Sequence, residues 1–203
     1  ASDVYKRQRM AHPLVRDDFG IWSIFLPEGT LTHGSRVKTH VILPDGGTMD
    51  RIPAYATRVV QEPQSIEFVA QYWDLPFEWK NKRPRLSRGL RIYESHVGMA
   101  QEDGRVGTYK EFAEKTLPRI VRAGYNAIQL MAIQEHPYYG SFGYHVSNFF
   151  APSSRFGTPE DLKQLIDTAH GYGILVIMDL VHSHAVKNTQ EGLNPVSYTH
   201  LTL

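Results

Sequence analysis

Between residues 19 and 74 the apolar positions fall in short stretches rich in β-branched and aromatic side chains. Ile21–Leu26, Val37–Leu43 and Ser65–Ala70 read as strands. Turn chemistry separates them, at Pro27-Glu28-Gly29, Pro44-Asp45-Gly46-Gly47 and Pro63. The pattern predicts part of an antiparallel β-sandwich, incomplete on its N-terminal side. Trp79-Lys80-Asn81-Lys82-Arg83-Pro84-Arg85, basic and punctuated by proline, then reads as a linker.

Beyond it the pattern alternates between strands and helices. Residues 90–97 form a strand candidate. Thr108-Tyr109-Lys110-Glu111 makes a capping box, with Thr108 as N-cap and Glu111 reaching back. Phe112, Ala113, Leu117, Ile120 and Val121 keep helical spacing behind it, Gly124 is the stop, and Pro118 is expected to kink or divide the helix. Ala127–Ile133 is a continuous apolar strand. Thr158-Pro159-Glu160-Asp161 opens a second helix, with Leu162, Leu165, Ile166 and Ala169 as its buried stripe and Gly171 and Gly173 at its end. Ile174–Val181 is a further apolar strand. Continuous apolar strands separated by helices predict a parallel sheet covered by helices. Three such strands open a (β/α)₈ barrel or form one side of a doubly wound sheet. No Gly-x-Gly-x-x-Gly follows any of them, which weighs against the dinucleotide-binding form.

Composition narrows the partners. The formal net charge is +1, so no general field draws the chain to nucleic acid or to a membrane. Neither a run of membrane-spanning length nor a signal-peptide core is present. With no cysteine, disulfides and thiol nucleophiles are excluded, which fits a reducing compartment. Both ends differ from the rest. Residues 1–8 (ASDVYKRQ) and 196–203 (VSYTHLTL) share no period with their neighbours and resemble translated sequencing-adapter read-through, the alternative being natural tails. The expected organisation is therefore a tail at 1–8, sandwich at 9–80, linker at 81–89, barrel at 90–195 and a tail at 196–203.

In either architecture ligands bind beyond the C-terminal ends of the strands. Three segments are expected to meet there: Glu94-Ser95-His96-Val97, the connection 134–157, and Asp179-Leu180-Val181-His182-Ser183-His184. The connection is far longer than the roughly 2–6 residues usual between a strand and a helix. It carries Tyr138, Tyr139, Phe142, Tyr144, Phe149, Phe150 and Phe156. Aromatic faces suit the C–H face of a sugar, and tyrosine adds a polar edge, so this loop can line a glycan groove. The alternative, preferred for most rings other than Tyr144, is a self-packed loop with a small core of its own. Asp179, read as lying within an apolar strand, must be paired to be tolerated there and is either structural or functional. A rival reading takes His182-Ser183-His184, with Glu135, His136 and His145, as a zinc-hydrolase ligand set. Its weakness is that the histidine pair follows the third strand, whereas in known metal barrels of that kind it usually belongs to the first.

Four stretches carry a resemblance. Arg91-Ile92-Tyr93-Glu94-Ser95-His96-Val97-Gly98, residues 132–146 (AIQEHPYYGSFGYHV), residues 149–159 (FFAPSSRFGTP) and Asp179–His184 closely resemble 1,4-α-glucan branching enzymes of the α-amylase superfamily, in the eukaryotic type that acts on glycogen and starch. The resemblance runs from about Asp18 to Asn194. It implies a glucan-binding β-sandwich, incomplete here, followed by the first three β/α units of a (β/α)₈ barrel. Asp179 and His184 match the Asp-x-x-x-x-His region, whose histidine bonds the glucose beside the scissile linkage. Tyr144 matches the tyrosine stacked on the same sugar. Ser183 stands where calcium-binding amylases have Asn, which implies no calcium site, and no cofactor is implied.

The implied reaction is a retaining transglycosylation, with the chain transferred to a glucan 6-hydroxyl. In the family its nucleophile follows the fourth strand, its acid the fifth and a further aspartate the seventh. The chain is thus expected to hold none of the catalytic carboxylates and to be inactive alone; Glu94 and Asp179 match none of them. Phe19, Trp22 and Lys38 either belong to a second glucan site, or are a core tryptophan and a solvated lysine. The expected partner is an α-glucan, and the expected location is cytoplasmic, or a plastid in a plant. A glucan-binding protein without catalysis is the other reading; an Arg-x-Asp motif downstream of Asn194 separates the two.

Overall fold

The computed structural model describes residues 11–85, 89–183 and 185–186. In the first half β1 (Val15–Arg16) and β2 (Trp22–Ser23) form a short antiparallel hairpin. Its turn is tied by Asp17, whose carboxylate accepts the N–H groups of Phe19 and Ile21 at 2.9 and 2.8 Å. Next come β3 (Arg36–Val37), β4 (Thr39–Ile42), β5 (Thr48–Arg51), β6 (Val59–Gln61) and β7 (Phe68–Gln71). β4 and β5 pair across the Pro44–Gly47 turn, and β3, β7 and β6 make an antiparallel sheet in that order.

Antiparallel pairing is as expected, but several details change. The stretch Ile21–Leu26 contracts to β2, and Val37–Leu43 breaks at Lys38. β1, β5 and β6 were not anticipated. β5 is Thr-Met-Asp-Arg, too polar to read as a strand; its place is set by the turn and by Asp50, which lies opposite His40 and 2.6 Å from its Nδ1. Val59, Phe68 and Ala70 bury themselves with Ala151, from the second half of the chain.

That half contains β8 (Ile92–Ser95), a 3₁₀ turn at Val97–Met99, α1 (Tyr109–Glu111), a π-helical stretch at Phe112–Thr116 and α2 (Leu117–Arg122). It continues with β9 (Ala127–Leu130), β10 (Gln134–Glu135), β11 (Asn148–Pro152), α3 (Pro159–Gly171) and β12 (Leu175–Met178). The predicted capping box of Thr108 with Glu111 is present, and Thr158, expected as a simple N-cap, forms a second one with Asp161. Pro118 does divide its helix. It has no N–H for the preceding turn, and the backbone widens into the π stretch just before it, with Leu117 N–H on the Phe112 carbonyl.

β8, β9 and β12 form a parallel sheet with β9 central and fully buried at Ala127, Ile128 and Leu130. Tyr109, Phe112, Leu117, Leu165 and Phe156 pack on it. The register aligns Ser95, Leu130 and Met178. The three strands therefore end level, and the residues that follow each emerge side by side.

The basic stretch after the sandwich is no loose tether where it is described. Trp73 donates its indole N–H to Glu160 (2.7 Å), Lys163 lies over the Phe77 ring, and the backbone N–H groups of Lys80 and Asn81 both donate to Asp167 Oδ1 at 3.0 and 2.9 Å. Residues 73–81 thus run along α3 as a strap, each anchored to a different turn. A sequence that looks like a linker docks because Asp167 is buried on α3 and needs donors.

Candidate functional site

The three expected segments do converge beyond the level strand ends. From the third, Asp179 lies just past β12 rather than inside it; its N–H donates to the Leu130 carbonyl at 3.0 Å. Its carboxylate Oδ2 accepts the Tyr144 hydroxyl at 3.2 Å, across 35 residues of sequence. Asp179 is therefore paired, and the partner is an aromatic edge rather than an arginine. Burial raises the Tyr144 phenol above its usual range, and the negative charges of Asp179 and Glu94 push the same way. The hydroxyl stays protonated and remains a donor.

Gln134 holds the other side of this pair. Its side-chain oxygen accepts the Val181 N–H at 2.7 Å while its amide donates to the Phe149 carbonyl at 3.1 Å. Val146 bridges Ala185, and Val186 donates to the Val146 carbonyl. The segment after Asp179 is thereby stapled to the long connection at two points, Gln134 and Val146. His184 lies outside the described residues.

The connection itself is not one loop with one core. It contains β10 and β11, paired antiparallel with an irregular register. Its rings divide three ways. Phe156 is buried in the main core, and Tyr144 and Phe149 pack on a small cluster of Ala132, Val146 and Val181. Tyr138, Phe142 and Phe150 stand largely exposed. None of these groups is a core of the connection's own making, since Ala132 and Val181 lie outside it.

The backbone beneath Tyr144 is under strain. Phe142 (φ 53°) and Gly143 (φ 88°) are consecutive left-handed residues, and Ala132 opposite them also has positive φ (37°). Such a conformation costs a non-glycine residue about 1–2 kcal/mol. Glycine is required at 143, where an added Cβ would collide with the Ala132 carbonyl oxygen. From the first segment, His96 sends its Nε2 to the Phe142 carbonyl at 3.1 Å. Burial pushes the His96 imidazole below its ordinary pKa, against the pull of that bond, so the ring is neutral near pH 7. His96 lies in the first of the segments expected to meet here, and Gln134 and Gly143 in the long connection, but no local signal in the sequence assigns any of the three a role of its own.

Glu94 accepts the Gln129 amide at 2.9 Å on the face of the sheet. Glu135 is fully buried, where desolvation raises its pKa against the pull of the Ser154 N–H (2.7 Å), Arg155 and the His136 N–H. His136 is buried too, its Nδ1 on the Gln134 carbonyl at 2.9 Å, while His145 and His182 are exposed. Among the described residues no three His, Cys, Asp or Glu side chains gather in a metal-holding group. Glu135 and His136 are structural: they fix β10 to the Ser154–Arg155 turn, with Arg155 donating to the His136 and Pro137 carbonyls.

In the first half, Phe19 and Trp22 are 91% and 61% exposed, so Trp22 is no core residue. Lys38 is not a solvated lysine either; its side chain is mostly buried and its ammonium meets Glu67 at 3.4 Å.

The family model for the α-amylase catalytic domain matches residues 92–193, half of the chain. The chain belongs to the α-amylase family. The model for carbohydrate-binding module 48, the isoamylase N-terminal domain, matches residues 3–56. Named 1,4-α-glucan-branching enzymes resemble this α-amylase-family chain along most of its length. That of Rhizophagus irregularis is 50% identical over 92% of the chain, and 1,4-α-glucan-branching enzyme 2-2 of Arabidopsis thaliana, chloroplastic/amyloplastic, is 54% identical over 89%. The chain spans 28% and 24% of the length of these relatives. A pullulanase structure from Bacillus acidopullulyticus superposes with a TM-score of 0.73 at 21% identity, over 91% of this chain and 26% of that one, and so shares the fold. No described helix is long and apolar enough to cross a membrane.

Proposed function

We propose that this chain is the glucan-gripping part of a 1,4-α-glucan branching enzyme. The observation that carries the reading is the Tyr144–Asp179 contact at the level strand ends of an α-amylase-family sheet. It presents an aromatic face beside an ordered carboxylate, at the position where the family grips the glucose next to the bond to be cut. The identity to named branching enzymes supports transfer rather than hydrolysis as the outcome.

On this reading the β/α units described here begin a (β/α)₈ barrel, and the nucleophile and acid are contributed by sequence outside this chain. The retaining step needs two carboxyl groups about 5–5.5 Å apart. One attacks the anomeric carbon while the other protonates the leaving oxygen, and a glucan 6-hydroxyl then displaces the enzyme. The chain's own residues bind and orient. Tyr144 stacks on the sugar, its hydroxyl held by Asp179, and His184 bonds the sugar's hydroxyls. Phe19 and Trp22 offer a second glucan contact, supported by their exposure; Lys38, engaged by Glu67, is its weakest member. The partner is glycogen, amylose or amylopectin, and no nucleic acid, membrane, metal or cofactor takes part. The place of action is the cytoplasm, or the plastid in a plant.

An iodine-stain assay on the whole enzyme tests this. His184→Ala is expected to abolish the fall in iodine absorbance that branching causes. Undiminished branching would refute its role.

A further inference from the structure

Tyr144 is delivered by two consecutive left-handed residues, and strained backbone of this kind persists only where its surroundings hold it. Two bonds, Phe142 N–H to the Tyr139 carbonyl and Tyr144 N–H to the Ser141 carbonyl, lie within the turn itself. A hold from outside comes from the first strand, 46 residues away: the His96 bond to the Phe142 carbonyl.

We propose that His96 is a positioning residue for Tyr144, fixing through Phe142 the height and tilt at which the Tyr144 ring meets the sugar. This rests on the reading of Tyr144 as a sugar-contacting ring. A carbonyl only accepts, so His96 must carry its proton on Nε2. Nδ1 is left as a buried lone pair with no hydrogen-bond partner among the described residues. The imidazole is 8% exposed and boxed edge-on by Phe156 (5.5 Å, 82°), Phe142 (6.0 Å, 88°) and Tyr139 (6.2 Å, 73°). Gly98 completes the box: a Cβ there would lie 2.7 Å from Phe156 and 3.2 Å from the His96 ring. An apolar ring would fill this cage equally well. What only a donor supplies is the bond to Phe142. Deletion of that bond releases the turn, and misplacement of a substrate-contacting group by about 1 Å can cost up to ~100-fold in rate.

The test uses the whole enzyme and a thermodynamic cycle. His96→Phe keeps the ring packing and removes the donor; His96→Gln keeps a donor and removes the ring. Both are first checked for wild-type circular dichroism and cooperative melting. In kcat/KM for branching, His96→Phe is expected to lose ~10-fold or more and His96→Gln only ~2- to 3-fold. In a Tyr144→Ala background His96→Phe is expected to cost less than ~2-fold further, because the group it positions is already gone. Equal losses from His96→Phe with and without Tyr144, or a His96→Phe enzyme as active as wild type, overturn the proposal. A misfolded His96→Phe beside a folded, active His96→Gln also overturns it as stated, since the bond then serves stability. If Tyr144→Ala alone leaves branching intact, the site reading falls and takes this inference with it. If Tyr144→Ala is crippled and the cycle is additive, only this inference falls.

Discussion

The Tyr144 hydroxyl donates to Asp179 Oδ2 at 3.2 Å, joining the long connection after the second parallel strand to the end of the third. Each residue answers a need of the other. The carboxylate gains a donor in a half-buried setting, and the ring, packed against the Ala132, Val146 and Val181 cluster, is fixed at its edge. Tyr144→Phe removes the bond and keeps the ring; a hydrogen bond to a charged group is worth about 1.5–3 kcal/mol. Because the bond is already made without ligand, its loss acts on kcat/KM through the position of the ring, and Tyr144→Phe is expected to reduce kcat/KM by roughly 10- to 100-fold, the effect of about 1 Å of misplacement. Tyr144→Ala is expected to lose more, because stacking goes as well. Steady-state kinetics on amylose check both.

Gly143 is the tightest point of the same turn. Any side chain there meets both a left-handed φ and the Ala132 carbonyl. Gly143→Ala is expected to destabilise the protein by about 2–4 kcal/mol, combining backbone strain with a steric clash. Urea titration measures it; a change below 0.5 kcal/mol, the size of an ordinary surface substitution, would show that the turn relaxes without cost.

Asp167 holds the strap. It is 1% exposed and accepts two backbone N–H groups and the Asn81 amide. Asp167→Ala leaves two backbone donors without their acceptor, while the Asn81 amide keeps its bond to the Asp167 carbonyl, and is expected to cost about 1–3 kcal/mol. Proteolytic cleavage near Lys80–Arg85 is expected to accelerate together with that loss. Unchanged cleavage would mean that the strap is held by Trp73 and Phe77 alone.

Of the titrations that shape the acid limb of stability, His136 and Glu111 pull the same way as His96, while Glu135 opposes them. Burial holds the His136 imidazole down to about 4, from an ordinary 6.5. Below pH 6.5 the unfolded chain takes up a proton that the folded chain refuses. Stability therefore falls between about pH 6.5 and 4, and is level above that window as far as His136 is concerned. Glu111 is held down to about 2, from 4.5, by the bond to Arg105 and by Thr108. Its contribution is complete above about 4.5 and is lost as pH falls through about 2. The gap between wild type and His136→Asn in urea midpoint is therefore expected to move against the wild type as pH falls from 7 to 4. Parallel pH profiles for the two proteins would contradict this account.

The long-range frame was legible in the sequence because it is written in local chemistry. Thr108 with Glu111, Thr158 with Pro159 and Asp161, and the apolar run at Ala127–Ile133 each specify an element without help from elsewhere. Tyr144 was legible only through a family motif, and Asp179 also as a carboxylate in an apolar run that needs a partner; their contact depends on strand register that no local pattern encodes. β5 and β6 escaped because their pairing is set by partners, not by propensity. His96 and Gln134 escaped for the same reason: each acts through a backbone group more than a dozen residues away. The docking of Lys80 and Asn81 was not legible in the basic, proline-bearing stretch 79–85, because the acceptor they share, Asp167, lies on α3.

The most direct measurement of the central claim is the linkage composition of amylose treated with the enzyme that carries this chain, read by proton NMR. The account predicts new α-1,6 signals at constant reducing-end concentration, strongly reduced by Tyr144→Ala and His184→Ala. Rising reducing ends without α-1,6 signals would contradict it.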